Sequence, residues 1–212
     1  SFTDLKQAQL KIVQSEKNQK LGYEAQLKSI VLLVNDGVLP AAENTKIYVE
    51  GIEREIAAKY ATVVDKPGEA DLIIVRTTTE EERSFQGFGG GMPGAGTRPG
   101  QGNARRPQMN PGQAAAAMNP FAPREVNIDF PAKKWDDIKT LARTGKPVVV
   151  AFNPSGSSCV LPSDLRNVVK GSIMIFDALD NALLDVVFGT FNPVGKLTFE
   201  IPSSLAAVTK QL

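Results

Sequence analysis

Apolar positions along the chain follow two periods, one typical of strands and one typical of helices. Two nearly continuous apolar runs, 70–75 (ADLIIV) and 147–152 (PVVVAF), are typical of strands covered on both faces of a parallel sheet. Shorter apolar runs predict three more strands, at 46–49, 61–64 and 172–176. Apolar residues at helical spacing predict helices over 22–34, 53–60, 133–143, 161–169 and 181–188. Strands that alternate with helices in this way predict βαβ units and a sheet layered between helices.

The last apolar pattern of the chain, 196–201, alternates strictly. Leu197, Phe199 and Ile201 are separated by Thr198 and Glu200. A strand with one apolar and one polar face suits the edge of a sheet. The sequence therefore predicts an α/β fold, a mostly parallel sheet between helix layers (an α/β sandwich) with its last strand at an edge.

Residues 84–124 interrupt this pattern. They hold nine of the 18 glycines and six of the 14 prolines, with four arginines and no acidic residue. Such a composition does not form a regular packed element. We therefore predict one domain, 21–212, in which 84–124 is a flexible Gly/Pro-rich insertion. Residues 1–20 are predicted to form an N-terminal arm or the remnant of an interdomain linker.

Composition excludes several kinds of chemistry. The chain has no histidine and one cysteine, Cys159, which excludes Ser-His and Cys-His nucleophilic systems, an intrachain disulfide and multi-cysteine metal clusters. Catalysis would have to use carboxylates, lysine, tyrosine or a group from elsewhere, and we expect neither a metal nor a cofactor. The net charge of +1 gives no general attraction for polyanions, so no nucleic-acid partner is expected. No run of 18 or more apolar residues exists, so no membrane span is predicted.

Residues 183–202 (LLDVVFGTFNPVGKLTFEIP) combine an apolar helix, an Asn-Pro-x-Gly turn and an alternating strand. This segment resembles the closing signature of the C-terminal domain of family 3 glycoside hydrolases, an A-D-V-L-F-G helix followed by D-x-N-P-S-G-K-L-P. Segments that resemble the same family precede it in the family's order, and they are 29–40 (SIVLLVNDGVLP), 46–51 (KIYVEG), 69–75 (EADLIIV) and 146–154 (KPVVVAFNP). The resemblance thus covers most of residues 20–204 and implies the family's α/β sandwich.

The resemblance also implies a function. In this family a preceding barrel domain supplies the aspartate nucleophile and most of the sugar-binding residues. The chain would then be the C-terminal domain of a β-glucosidase-like enzyme that hydrolyses O-glycosides with retention and without a metal. Its partners would be the barrel domain of the same enzyme and a β-glycoside or oligosaccharide substrate. A periplasmic or secreted location is implied, and the isolated domain would be nearly inactive. The apolar surface that faces a barrel would otherwise favour a homo-oligomer.

A candidate acid/base group lies on the loop after the strand that ends at Val75. In several members of the family this loop carries the acid/base glutamate, and an ungapped count reaches Glu82, with Glu80 and Glu81 as alternatives. Three consecutive carboxylates repel one another, which raises a pKa in the direction that a general acid requires. A Glu-Glu-Glu-Arg run is more often a solvated face, or the start of a helix, where acidic residues interact favourably with the helix dipole.

Other candidate residues have a structural alternative as well. Phe85 and Phe88, beside the loop glycines, would stack on sugar rings or else pack back on the domain. Asp177 and Asp180 follow the predicted strand 172–176, at the strand end where open α/β sheets bind ligands. Capping of the following helix is the better explanation of Asp180. Trp135 lies on the apolar face of its predicted helix and is expected in the core.

A second hypothesis stays open because the chain departs from the family at three loops. The stretches 51–53, 153–156 and 175–180 lack the glycine-rich or Gly-Arg-Pro patterns that border the active site in complete enzymes. Under this hypothesis the domain is a non-catalytic carbohydrate-binding or interdomain structural module. A barrel with a nucleophile motif, encoded in frame upstream, would favour the enzyme.

Overall fold

The computed structural model describes residues 15–79, 129–154, 159–197 and 201. Their regular elements are, in chain order, α1 (Glu16–Ser29), β1 (Val31–Asn35), β2 (Lys46–Glu50), α2 (Arg54–Ala57), β3 (Thr62–Val63), a 3-10 turn (Pro67–Glu69), β4 (Leu72–Thr78), α3 (Ala132–Ala142), β5 (Val148–Asn153), α4 (Leu165–Val168), β6 (Gly171–Met174) and α5 (Asp180–Val187).

The six described strands form one sheet in the order β1-β6-β5-β4-β2-β3. The strands from β6 to β3 are parallel, and β1 alone runs antiparallel, with Val31 opposite Met174. The two continuous apolar runs of the sequence are the central strands β4 and β5, which pair from Ile73↔Val148 to Thr78↔Asn153. The predicted α/β fold with a mostly parallel sheet is confirmed.

Helices cover both faces of this sheet. One core cluster holds alternate strand residues such as Ile74 and Ala151 together with side chains of α1, α2 and α5. The other holds the intervening residues, such as Ile73 and Val150, with side chains of α3 and α4. Because successive side chains of a strand point to opposite faces, burial on both sides requires the continuous apolar runs that the central strands show.

The first predicted helix, 22–34, is wrong in its second half. Helix α1 ends at Ser29, and 31–35 is strand β1, which pairs with β6. The apolar residues Ile30, Leu33 and Val34 fit a helical spacing in the sequence. The contacts that make them a strand come from β6, far away in the chain, so local periodicity could not reveal them.

The predicted last strand, 196–201, is not confirmed in its described part. Lys196, Leu197 and Ile201 lie outside any strand, and 198–200 lie outside the described residues. In the sheet as described, β1 and β3 occupy the edges. Leu197 and Ile201 nevertheless pack against the core cluster of α3 and α4, whereas Phe191 packs against the opposite cluster. The closing segment, 190–197, therefore passes beside β1 from one face of the sheet to the other.

Two glycines of the closing signature lie against the segment that surrounds β1. An added Cβ on Gly195 would overlap the carbonyl oxygen of Ile30, and one on Gly189, which has a φ of +75°, would lie 2.8 Å from Cβ of Pro40. A pocket of about 230 Å³ lies where the two segments meet, lined in part by Leu39, Pro40 and Phe191. Gly195 is therefore needed for close approach to backbone, and Gly189 for its left-handed φ and its contact with the Pro40 ring.

Candidate functional site

The carboxyl ends of the parallel strands lie along one edge of the sheet, which we call the carboxyl edge. The chain leaves β2 towards α2 on one face, and α3, which follows β4 in the chain, covers the other face. Neighbouring strands whose connections go to opposite faces leave a crevice between their carboxyl ends, where open α/β sheets bind ligands. In this fold that crevice lies between β2 and β4.

A partly buried ion pair lies in the crevice. Arg76, near the end of β4, donates a hydrogen bond to Oδ1 of Asp180, the first residue of α5. The two side chains are 22% and 9% exposed. Oδ2 of Asp180 accepts the backbone N–H of Glu53 at 2.9 Å. Gly51 has a φ of +69°, and an added Cβ there would overlap the carbonyl oxygen of Arg76. One carboxylate therefore joins the exits of β2 and β4 to the start of α5.

A second polar contact joins the exits of β5 and β6. Nδ2 of Asn153 donates to Oδ1 of Asp177 at 2.7 Å, and the N–H of Asp177 donates to Oδ1 of Asn153 at 2.8 Å. Asp177 has a φ of +51°, a left-handed conformation that aspartate tolerates better than most residues. The carbonyl of Asn153 accepts the N–H of Thr79 at 3.1 Å. The hydrogen bonds between β4 and β5 therefore continue as far as Thr79.

The start of α3 also contacts the end of β4. Nζ of Lys134 donates to Oγ1 of Thr78 at 2.7 Å and to its carbonyl oxygen at 3.2 Å. Trp135, the next residue, is 7% exposed, packs edge-on against Phe130 and donates from Nε1 to Oδ1 of Asp164 at 2.9 Å. The prediction that Trp135 belongs to the core is therefore confirmed. Its single polar atom is satisfied, as a buried indole requires.

The structure does not describe the candidate acid/base and sugar-stacking residues. Glu80, Glu81, Glu82, Phe85 and Phe88 lie outside the described residues, and their roles stay predictions.

The predicted capping role of Asp180 is wrong. The N-cap of α5 is Leu179, which forms no side-chain cap, and the Asp180 carboxylate instead binds Arg76 and Glu53. Arg76 had no role in the sequence interpretation. A charged residue directly after the apolar run 70–75, and still within β4, was the signal that could have revealed it.

A second carboxylate, that of the partly buried Asp185, holds α1 against the domain. Oδ2 of Asp185 accepts the hydroxyl of Tyr23 at 2.5 Å, and Oδ1 accepts the hydroxyl of Tyr60 at 2.9 Å. Burial, and then the hydrogen bond to Asp185, raise the pKa of Tyr60 to about 12 and raise that of Tyr23 further. This network lies near the middle of α5, away from the carboxyl edge.

Within residues 15–79, 129–154, 159–197 and 201, no group of three or more acidic or cysteine side chains is arranged to hold a metal ion. In the same ranges, no helix combines the length and the apolar character needed to cross a bilayer.

The chain is similar to part of several longer proteins over most of its own length. The model of the glycosyl hydrolase family 3 C-terminal domain matches residues 30–211. The chain is 30% identical to the probable beta-glucosidase C of Aspergillus flavus over 207 residues, which is 95% of this chain and 27% of that protein. It is 27% identical to the periplasmic beta-glucosidase/beta-xylosidase of Dickeya chrysanthemi over 197 residues, 91% of this chain and 25% of that protein.

A solved structure has the same fold. Beta-glucosidase 3B from Thermotoga neapolitana, in complex with glucose, matches with a TM-score of 0.61 and 19% identity, over 90% of this chain and 32% of that one. The chain therefore spans between a quarter and a third of the length of these relatives.

Proposed function

Because the chain belongs to family 3 of the glycoside hydrolases, as their C-terminal domain, we propose that it forms part of a retaining β-glucosidase-type enzyme. The substrate class is a terminal β-linked glucoside or a related glycoside. The partner is an N-terminal barrel domain of the same polypeptide. This proposal of two domains in one enzyme is supported by the relatives, which match this chain over only about a quarter of their own length.

Retaining hydrolysis needs two carboxyl groups about 5–5.5 Å apart, a nucleophile and an acid/base. We assign the nucleophile to an aspartate of the barrel and the acid/base to Glu82 of this domain. As acid, Glu82 protonates the leaving-group oxygen while the aspartate attacks the anomeric carbon. As base, it then removes a proton from the water that breaks the glycosyl-enzyme bond. No metal takes part in either step.

The observation that carries this proposal is the position of Thr79. The segment 80–82 follows Thr79, whose N–H is bonded to Asn153 at the carboxyl edge of the two central strands. This end of an open α/β sheet is where ligands bind, and β4 borders the crevice itself. This position of Thr79 favours Glu82, three residues later in the sequence, as the acid/base group. Phe85 and Phe88, farther along the same segment, are proposed as sugar-stacking residues.

Substitution of Glu82 tests the assignment, in the polypeptide that joins this domain to its barrel. We expect E82Q to lose activity on β-glucosides with poor leaving groups by roughly 100-fold or more, since general acid catalysis supplies about that factor. Activity on 2,4-dinitrophenyl β-glucoside needs little help from an acid, and there azide should restore turnover as β-glucosyl azide. E80Q and E81Q are matched controls because each makes the same replacement, one carboxylate oxygen by an amide nitrogen, at a neighbouring glutamate. Loss in E80Q or E81Q with normal activity in E82Q would move the role to that residue.

The 212-residue chain alone should be nearly inactive, because one carboxylate cannot perform double displacement. Rapid hydrolysis of aryl β-glucosides by the chain alone, abolished in E82Q, would overturn the proposed division between domains.

We also propose a periplasmic or secreted location, since relatives from Dickeya chrysanthemi and Salmonella typhimurium are periplasmic beta-glucosidases by name. Fractionation of cells that express the native gene measures this directly.

A non-catalytic module is the second candidate. The crevice between β2 and β4 favours this candidate, because the two charged side chains there, Arg76 and Asp180, are bound to each other. If the domain is a binding module, calorimetry with gluco-oligosaccharides should give heat with the isolated chain, and E82Q should not change it. If it is a purely structural module, calorimetry should show no heat of binding. Gel filtration would then detect a homo-oligomer formed through the apolar surface that would otherwise face a barrel.

A further inference from the structure

The carboxyl edge has a second place where neighbouring strands send the chain to opposite faces of the sheet. The chain leaves β5 towards α4, which packs on the same face as α3, and it leaves β6 towards α5, which packs on the other face. Because β5 and β6 are adjacent and parallel, their carboxyl ends leave a crevice of the same kind as the one between β2 and β4. We call it the β5–β6 crevice.

The side chain of Asp177 is held in a fixed position at this crevice. Asn153, the last residue of β5, is 7% exposed and uses both polar atoms of its side chain on this one residue. It donates to Oδ1 of Asp177 at 2.7 Å and accepts the backbone N–H of Asp177 at 2.8 Å. Asp177 itself is exposed. Its carboxylate is therefore oriented by the protein without being removed from solvent.

The backbone of Asp177 also sets this position apart. Its φ of +51° is a left-handed conformation that glycine adopts without steric cost, so the turn itself does not require a side chain here. Conformations of this kind are found at ligand-binding positions, where surrounding contacts hold them in place. The two hydrogen bonds from Asn153 are such contacts.

The two crevices of the carboxyl edge differ in whether their carboxylate is already bound. Both oxygens of Asp180 are used, one by Arg76 and the other by the N–H of Glu53. Oδ2 of Asp177, in contrast, has no hydrogen-bond or ion-pair partner among the residues that the structure describes. The β5–β6 crevice therefore offers an oriented acceptor that a ligand could use.

The chemistry of this position indicates the class of ligand. An ionised carboxylate only accepts hydrogen bonds, so the ligand must supply a donor. Leu179, two residues farther along the chain, is a large apolar side chain that is 56% exposed. Ligand sites typically combine apolar surface with a few oriented polar groups. A sugar, which presents hydroxyl donors beside apolar C–H groups, fits this combination.

We infer that Asp177 is a substrate-binding residue, whose Oδ2 accepts a hydrogen bond from a sugar hydroxyl in the β5–β6 crevice. The inference rests on the proposed function, because the sugar belongs to the β-glucoside of that reaction. Asp177 transfers no proton in this proposal. Its contribution is to the affinity for the sugar.

The test measures binding rather than turnover, by calorimetry of the full-length polypeptide with thiocellobiose, a sulfur-linked disaccharide that resists hydrolysis. D177N keeps one oxygen for Asn153 and a residue that tolerates a left-handed φ, but it replaces the free oxygen by an amide donor. D177G removes the carboxylate, and glycine keeps the backbone conformation without strain. The matched control is D137N, the same replacement at an exposed carboxylate on α3.

We expect the Kd for thiocellobiose to rise about 10- to 100-fold in D177N and D177G, as for the loss of a hydrogen bond to a charged group. D137N should change it by less than about threefold. The chemical partner is identified with monodeoxy derivatives of thiocellobiose. In the parent, one derivative should bind at least about tenfold more weakly than thiocellobiose itself. In both Asp177 variants that derivative should bind within about threefold of thiocellobiose, because the hydroxyl has lost its acceptor.

Three results would overturn the inference. They are unchanged affinity in D177N and D177G that circular dichroism shows to be folded, an equal loss in D137N, and deoxygenation losses in the variants that match those of the parent. If the parent itself gave no heat with thiocellobiose, the proposed function would fail first, and this inference with it. The expected deoxygenation pattern together with normal activity in E82Q would uphold Asp177 and refute only the acid/base assignment.

Discussion

Replacement of Gly195 by alanine tests whether the closing signature is required for backbone packing. Gly195 does not have a left-handed φ, so backbone strain would not explain a defect. An alanine Cβ would overlap the carbonyl oxygen of Ile30 and lie 2.9 Å from that of Lys28. Both obstacles are backbone atoms, which cannot rotate away as a flexible side chain would.

The size of the effect follows from this geometry. Overpacking costs about 1–3 kcal/mol, and the lower entropy of the unfolded alanine chain returns about 0.4–1 kcal/mol. We therefore expect G195A to lower the free energy of unfolding by about 1–2 kcal/mol. For a chain of this size that is a decrease in Tm of about 2–8 °C. Thermal and urea unfolding, followed by circular dichroism, measure both quantities.

Gly22 provides a matched control. It lies in α1, and an added Cβ would meet nothing within 4 Å. Because alanine favours the helix by about 0.5–1 kcal/mol, G22A should raise Tm by about 1–3 °C. If G195A were as stable as G22A, the close approach of the closing segment to α1 and β1 would be refuted.

Three further outcomes follow from buried groups. Tyr23 and Tyr60 have pKa values above their usual value of about 10. Their contribution to stability is therefore complete below about pH 10 and is lost as the pH rises towards 12 and beyond. The fall in Tm between pH 9.5 and 12 should be smaller in Y23F/Y60F than in the parent, and equal slopes would contradict the network. Burial raises the pKa of Cys159 to about 11, so a thiol reagent at pH 8 should label the native chain at least tenfold more slowly than the urea-unfolded chain. F152A should lower the free energy of unfolding by about 3–5 kcal/mol, since this side chain is fully buried, and a loss below 1 kcal/mol would contradict that packing.

The fold was predictable from the sequence where a local apolar pattern fits only one type of secondary structure. The continuous apolar runs 70–75 and 147–152 became the two central strands, because only burial on both faces allows such runs. The stretch 30–34 was ambiguous, since its apolar residues fit a helix and a strand alike. Pairing with β6 decided between them, and that information is absent from any short window of sequence.

The candidate site was predictable only in its location. The carboxyl ends of the strands follow from the βαβ order, and Asp177 was found at one of them. The partners were not predictable, because Arg76 and Asp180 are 104 residues apart and become neighbours only through the order of the strands. Capping was the reasonable local explanation of Asp180, and the long-range ion pair replaced it.

The antiparallel strand at the edge has a consequence for how this domain is made. Val31 and Met174 are opposite each other in the sheet although they lie about 140 residues apart in the chain. At about 5–20 residues per second, the ribosome produces β1 roughly 7–30 s before its partner. Throughout that time β1 lacks the strand with which it pairs in the described sheet. A nascent chain halted before β6 should accordingly be far more prone to aggregation than one halted just after it.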